Sequence, residues 1–289
     1  MSFIISDNEL EGLLHRYTHD VTDFARQERY DPITGRDDEL NQMILILLQR
    51  MRKNVMLLGP AGIGKTALFA GLAQWINAGR VPKMLAGARI IELEMSMIGA
   101  GSQSRAELEG RLIPIVKGVA ERNQTRKQPP IIFCIDEFHQ LTVPFKASSY
   151  AGIADLLKPY LTAGDLYVVG ATTREEYDEY VKVEPAIDRR FQKIHMSVPD
   201  VPATEGILIN VKGNFERHYG LTIKDETCLR IVKLTDRFMR NRNNPDKSIL
   251  SLDLACAYAV KNGVTGVLND ASVDFAIGTE AGIHPSAVK

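Results

Sequence analysis

Apolar and polar positions change their period several times along this chain. Residues 7–28 place Leu10, Leu13, Leu14, Tyr17, Val21 and Phe24 at helical spacing, which predicts a helix there. Asp31-Pro-Ile-Thr-Gly-Arg-Asp-Asp38 then breaks the pattern, because Pro32 and Gly35 both disfavour helix. Asp37 can cap a second helix to about Arg52, with Leu40, Met43, Ile44, Leu47 and Leu48 on its apolar face. Val55-Met-Leu-Leu58 is too short for a helix and is bounded by Gly and Pro, so it reads as a buried parallel strand. Further strands are expected at 90–93, 131–135 and 166–170, separated by helical patterns at 66–77, 105–122 and 150–161. Strands alternating with helices require right-handed crossovers onto a parallel sheet covered on both faces. The expected fold class is therefore α/β, a doubly wound parallel sheet.

After Pro199-Asp-Val-Pro202 the character changes, and 203–262 reads as helical, with Thr222 and Ile223 offering at most a small β element. The expected organisation is a helical N-terminal segment (1–30), a large α/β domain (31–200), a small helical domain (201–265) and a tail (266–289). No internal repeat or low-complexity tract interrupts it.

Composition narrows the function without naming it. The 289 residues are 45% apolar and 25% charged, ordinary for a chain with a real core. A net charge of -1 supplies no bulk attraction to nucleic acid or to an anionic membrane, so nucleic acid is not the expected partner. No apolar run approaches the roughly 20 residues that span a bilayer, so no membrane insertion is expected. The N-terminus lacks the pattern of a secretory signal. Cys134, Cys228 and Cys256 are too widely spaced for a disulfide framework or a zinc site. The cytoplasm is the simplest expected compartment.

The chemistry is concentrated at strand ends. Gly59-Pro60-Ala61-Gly62-Ile63-Gly64-Lys65-Thr66 fits G-x-x-x-x-G-K-[ST] in full, between an expected strand and an expected helix. Its glycines let backbone N–H groups approach phosphate, the helix N-terminus adds partial positive charge, and Lys65 reaches the outer phosphates. The Thr66 hydroxyl is expected to ligate magnesium. The apolar strand 131–135 ends in Asp136-Glu137. There Asp136 can hold Mg2+ through its waters, and Glu137 can orient or activate an attacking water. Alone, such a pair is a solvated strand end; with the loop before it, ATP hydrolysis is the stronger reading. Ala171-Thr172-Thr173 closes a neighbouring strand, where a hydroxyl can contact the γ-phosphate, although Thr–Thr is also common turn material. Asp188-Arg189-Arg190-Phe191 is either a solvated basic pair or an arginine finger lent to a neighbouring subunit's ATP.

This string of motifs resembles the first ATPase domain of the Clp/Hsp100 family of AAA+ unfoldases, from about Leu14 to the C-terminus. Phe24-Ala-Arg-Gln27 with Asp31-Pro-Ile33-Thr34-Gly-Arg-Asp-Asp38 is similar to the family segment that cradles adenine, with Thr34 in place of the usual aliphatic residue. Glu137-Phe-His139, Leu157-Lys-Pro159 and Gly170-Ala-Thr-Thr173 fall in the family's order. The resemblance implies that Thr173 is the sensor-1 residue and that Arg189 and Arg190 act in trans. It also implies that Pro245-Asp-Lys247 lies near the nucleotide in a helical lid, and that the tail 266–289 is like the family's linker to a second ATPase domain. Its partners would be a homo-oligomeric ring, a hexamer, and a protein client or larger protein machine.

One departure bears on the client. Counting back from Arg111, Ser104 occupies the place of the family's substrate-gripping pore aromatic, and a serine offers little apolar grip. Phe145 or Tyr150, in a second loop, could substitute or could be packing residues. Two functions are therefore carried forward. One is an ATP-driven protein-remodelling motor working as a ring. The other is an accessory ATPase that switches or assembles a larger machine without threading a polypeptide.

Overall fold

The computed structural model describes residues 5–102, 104–142 and 153–288; Phe145 and Tyr150 lie outside them. The described chain divides into two compact units, one built from residues up to Tyr30 with Asp38–Gly59 and Lys65–His195, the other from Asp31–Asp37, Pro60–Gly64 and 196–288.

The first unit begins with α1 (Asp7–Tyr17), β1 (His19–Asp20), α2 (Val21–Arg26), α3 (Asp37–Leu47), β2 (Asn54–Leu58) and α4 (Ala67–Asn77). It continues through β3 (Arg89–Glu92), α5 (Met95–Gly99), α6 (Arg105–Thr125), β4 (Ile131–Ile135), α7 (Ala154–Ala163) and β5 (Tyr167–Thr172). The one-turn helices α8 (Arg174–Glu176) and α9 (Pro185–Asp188) lead into β6 (Phe191–His195). The sheet order is β1-β3-β4-β5-β2-β6. Five strands are mutually parallel, as the alternation required, and β1 is an antiparallel edge. Strands β2 and β4 are buried at every position, which is why Val55-Met-Leu-Leu58 and 131–135 read as apolar runs; the buried Asn54 at the start of β2 is satisfied by accepting the Val168 N–H at 2.9 Å. Gly170 is needed where β5 passes between its neighbours: a Cβ there would meet Phe138 Cδ2 at 2.9 Å and Met56 Sδ at 3.0 Å.

Two expectations are corrected here. The 7–28 pattern is not one helix, because Thr18 turns extended (φ −143°) and its hydroxyl donates back to Leu14 O at 2.6 Å. The break is fixed from outside the segment: the Ile90 N–H donates to Thr22 Oγ1 at 2.6 Å, and Arg89 pairs with Glu11 at 2.7 Å and Asp20 at 3.0 Å. The helix expected from Asp37 to Arg52 stops at Leu47. Gln192 on β6 donates at 2.6 Å to both Arg52 O and Gln49 Oε1, so these residues serve the sheet edge instead.

The second unit contains α10 (Val201–Tyr219), β7 (Leu221–Thr222), α11 (Asp225–Phe238), α12 (Asp246–Lys261), β8 (Gly266–Val267) and α13 (Asp270–Ala281). Asp200 caps α10 by accepting the Ala203 N–H at 2.8 Å, and left-handed Gly220 ends it. Leu208, Ile231, Val232, Leu252, Ala276 and Ile277 are buried in its core. Each fully buried Leu, Ile or Val contributes about 1.5–3 kcal/mol. The small β element begins one residue earlier than expected, at Leu221, and exists because β8 pairs with it in parallel.

Candidate active site

Strand β2 delivers the chain to Gly59, whose N–H donates to Thr172 O on β5 at 3.4 Å. Lys65 Nζ donates to Gly59 O at 2.8 Å, folding the side chain over the start of its own loop. Burial lowers the Lys65 pKa, opposed by the nearby carboxylates of Asp136, Glu176 and Glu137. Thr66 stands at the N-cap of α4 yet makes no side-chain cap bond. Its hydroxyl donates instead to Asp136 Oδ2 at 2.5 Å. The other oxygen of Asp136 accepts the Glu137 N–H at 2.8 Å.

Glu137 is left-handed (φ +47°), a conformation costing a non-glycine residue on the order of 1–2 kcal/mol. That turn presents its carboxylate to solvent, where the Gln140 amide donates to it.

At the end of β5, the buried Thr172 hydroxyl donates to Glu176 Oε2 at 2.9 Å. Thr173 caps α8: its N–H donates to Glu176 Oε2 at 3.0 Å, and its hydroxyl accepts the Glu176 N–H at 3.2 Å. Burial raises the Glu176 pKa, but bonds from Thr173 and Thr172 and the charge of His139 outweigh it and hold the carboxylate below its ordinary range. The next residue, Tyr177, donates from its hydroxyl to Asp188, which also receives Lys193 Nζ at 2.7 Å. Asp188 thereby anchors the turn carrying the exposed Arg189 and half-buried Arg190, whose shielded Nε has no partner.

Within the second unit, Asn243 Nδ2 donates to Ala61 O at 3.0 Å and the Asp246 N–H to Gly62 O at 3.3 Å. The buried Arg36 donates to Ile63 O at 2.8 Å. Three successive loop carbonyls are thus engaged by donors, which lowers the repulsion their oxygens would offer an anion. Gly62 is left-handed (φ +77°), and a Cβ there would lie 3.1 Å from Asp246 Cβ, so both geometry and space demand glycine.

The remaining expected residues are placed as follows. Ile33 and Thr34 are half-buried, and Thr34 Oγ1 is shielded from solvent without a hydrogen-bond partner. Pro245 follows a cis peptide bond. Lys247 is 4% exposed, donates to Met239 O at 3.1 Å, and has its pKa lowered by burial against the pull of Asp236. It lines a cleft of about 600 Å³ with Arg237, Arg240, Arg242 and Asn243. Ser104 caps α6, accepting the Glu107 N–H at 3.3 Å.

Among the described residues no cluster of three or more His, Cys, Asp or Glu could hold a metal by itself. The Thr66 hydroxyl and Asp136 carboxylate fit magnesium in another way, since that ion is commonly held by one or two carboxylates plus substrate phosphates. Lys65 places a cationic side chain on the same loop, donating to Gly59 O. The donor set therefore suits Mg2+ with ATP.

Sequence reasoning missed Glu176 and Tyr177, and it quoted His139 and Asp188 only as members of motifs, with no role of their own. For Glu176 a signal existed, because Thr173-x-x-Glu176 is a capping-box spacing. Tyr177 carries none, and the Glu137-Phe-His139 motif does not reveal the partner of His139; the two partners lie 11 and 33 residues away.

Comparison with known proteins places these features in a family. Residues 55–197 match the ATPase family associated with various cellular activities (AAA), and residues 200–266 match the AAA lid domain. The chaperone protein ClpB of Staphylococcus epidermidis is 39% identical over 244 residues, which are 84% of this chain and 28% of that protein. ClpB of Rickettsia conorii is 38% identical over the same lengths. Among solved structures, Hsp104 with ATPγS and casein in the closed state superposes with a TM-score of 0.84 at 33% identity, covering 93% of this chain and 45% of that one. The Saccharomyces cerevisiae Hsp104–ADP complex gives 0.83 at 31% identity, covering 96% and 46%. The chain thus spans 28% of the length of these curated relatives. It belongs to the AAA ATPase family, as an AAA domain followed by an AAA lid of the kind found in the ClpB chaperones.

Proposed function

We propose that this chain binds ATP with Mg2+ and hydrolyses it to drive or regulate protein remodelling as a ring oligomer, a hexamer, in the cytoplasm. The observation that carries the reading is the Thr66–Asp136 contact, which joins the two halves of a metal–phosphate site at one point. In this reading the backbone of Gly59, Pro60, Ala61, Gly62, Ile63 and Gly64 receives the phosphates, with Lys65 neutralising their charge. Thr66 and Asp136 hold the magnesium, which supplies charge stabilisation on the phosphoryl oxygens. Glu137 accepts a proton from the attacking water, and Thr173 reports the γ-phosphate. Arg189 and Arg190 serve a neighbouring copy, while Ile33, Thr34, Pro245 and Lys247 serve the nucleotide base. Casein is named with an Hsp104 neighbour, which supports a protein client here. No helix among the described residues is long and apolar enough to cross a membrane.

The test is the Glu137→Gln protein. Turnover should fall about 10²–10⁴-fold while ATP still binds, and its mass in solution should rise to a closed ring with ATP. Full turnover in that variant would remove Glu137 from its assigned role. A second reading, an accessory ATPase that switches a larger machine, is favoured by Ser104. Its hydroxyl is committed to capping α6, where a gripping aromatic would be needed for threading.

A further inference from the structure

The turn after β4 carries one group that the hydrolysis reading leaves unused. His139 lies two residues beyond Glu137, in a single 3-10 turn (Phe138–Leu141), with its side chain 14% exposed. Its Nδ1 is 3.0 Å from Thr172 Oγ1 and 3.2 Å from Glu176 Oε2. Strands β4 and β5 are adjacent and parallel, with Ile135 opposite Gly170. The imidazole therefore ties the turn that presents Glu137 to the neighbouring strand end that presents Thr173.

The bonding pattern fixes its role. Glu176 Oε2 accepts the Thr172 hydroxyl proton at 2.9 Å and the Thr173 N–H at 3.0 Å. A carboxylate oxygen offers only lone pairs, so a bare Nδ1 at 3.2 Å would face it lone pair to lone pair. Thr172 has one hydroxyl proton, already given to Glu176. The hydrogen thus sits on Nδ1, and His139 donates into the Thr172–Glu176 pair. Glu176 in turn holds the backbone of Thr173. Among the described side chains of the Glu137 turn, the imidazole is the one bonded to the Thr172–Glu176 group.

Resting on the ATPase reading, we propose that His139 is a positioning residue for hydrolysis: by donating from Nδ1 to Thr172 and Glu176 it sets the spacing between Glu137 and Thr173. It touches neither water nor phosphate. Displacement of a reacting group by about 1 Å can cost on the order of a hundredfold in rate, so a clamp between two such groups acts on kcat rather than on binding.

The experiment compares wild type, His139→Ala, His139→Asn and Thr172→Val in the full chain. It measures steady-state kcat and KM for ATP, affinity for a fluorescent nucleotide, and melting temperature. His139→Ala should lower kcat by roughly ten- to a hundredfold with nucleotide affinity within about threefold. His139→Asn, whose amide can place a donor near the Nδ1 position, should restore much of that loss. The His139→Ala/Thr172→Val double variant should lose less than the product of the two single losses, because both remove one interaction. Equal losses in the Ala and Asn variants, loss of affinity in parallel with kcat, or an unimpaired His139→Ala would each overturn the role of His139 alone. A wild type that binds ATP without turning it over would overturn the ATPase reading and this role together.

Discussion

Thr66 Oγ1 lies 2.5 Å from Asp136 Oδ2, although the two residues are 70 positions apart in the chain. A threonine at a helix N-terminus ordinarily caps it, and this one does not. The hydroxyl is held at the acidic strand end, where it and the carboxylate can meet one cation. Thr66→Ala and Asp136→Asn should therefore each reduce magnesium-dependent turnover by on the order of a hundredfold or more. An ATPase assay over a magnesium titration checks this; a variant saturating at wild-type rate and wild-type magnesium concentration would contradict it.

The arginine turn depends on Asp188, which Tyr177 and Lys193 hold together. Burial and the Asp188 carboxylate raise the Tyr177 pKa, so the phenol remains a donor across the neutral range. Arg189→Ala or Arg190→Ala should cut kcat by about 10³-fold or more where the residue completes a neighbour's site, with ATP affinity retained. Tyr177→Phe should give a smaller loss of the same kind, since it deletes only the donor that steadies the turn. Parallel loss of kcat and affinity would point to misfolding.

Ser104 separates the two readings of the protein. Ser104→Ala should cost about 1 kcal/mol of stability by removing the α6 cap. Ser104→Tyr pays the same cost, and in a threading motor it should also raise turnover stimulated by an unfolded protein. If turnover with such a client stays flat while a specific partner protein stimulates it, the accessory reading holds.

Acid stability should report Glu176. Its folded pKa lies below the ordinary 4.5, so its contribution is present above that value and is lost as pH falls through the lowered folded one. Glu176→Gln should flatten the stability–pH curve below about 4.5. Denaturant midpoints measured from neutral to strongly acid pH check this, and an unchanged slope would contradict it.

The sequence by itself determined the parts whose signal is local. Strands β2 and β4 are buried on both faces, so residues 55–58 and 131–135 appear as apolar runs, each followed at the carboxyl end by candidate site residues. The 59–66 loop needs glycine where φ is positive and a Lys-Thr pair where the helix begins, and those requirements are written in eight adjacent letters. The bend at Thr18, the antiparallel edge β1 and the β7–β8 pair were decided only by tertiary structure, because each depends on a distant donor or strand. The same holds for the pairing of His139 with Thr172, 33 residues away. Periodicity records which face a residue buries. It carries no record of which polar group, tens of residues away, will be waiting there, and that pairing exists only once β4 and β5 lie side by side.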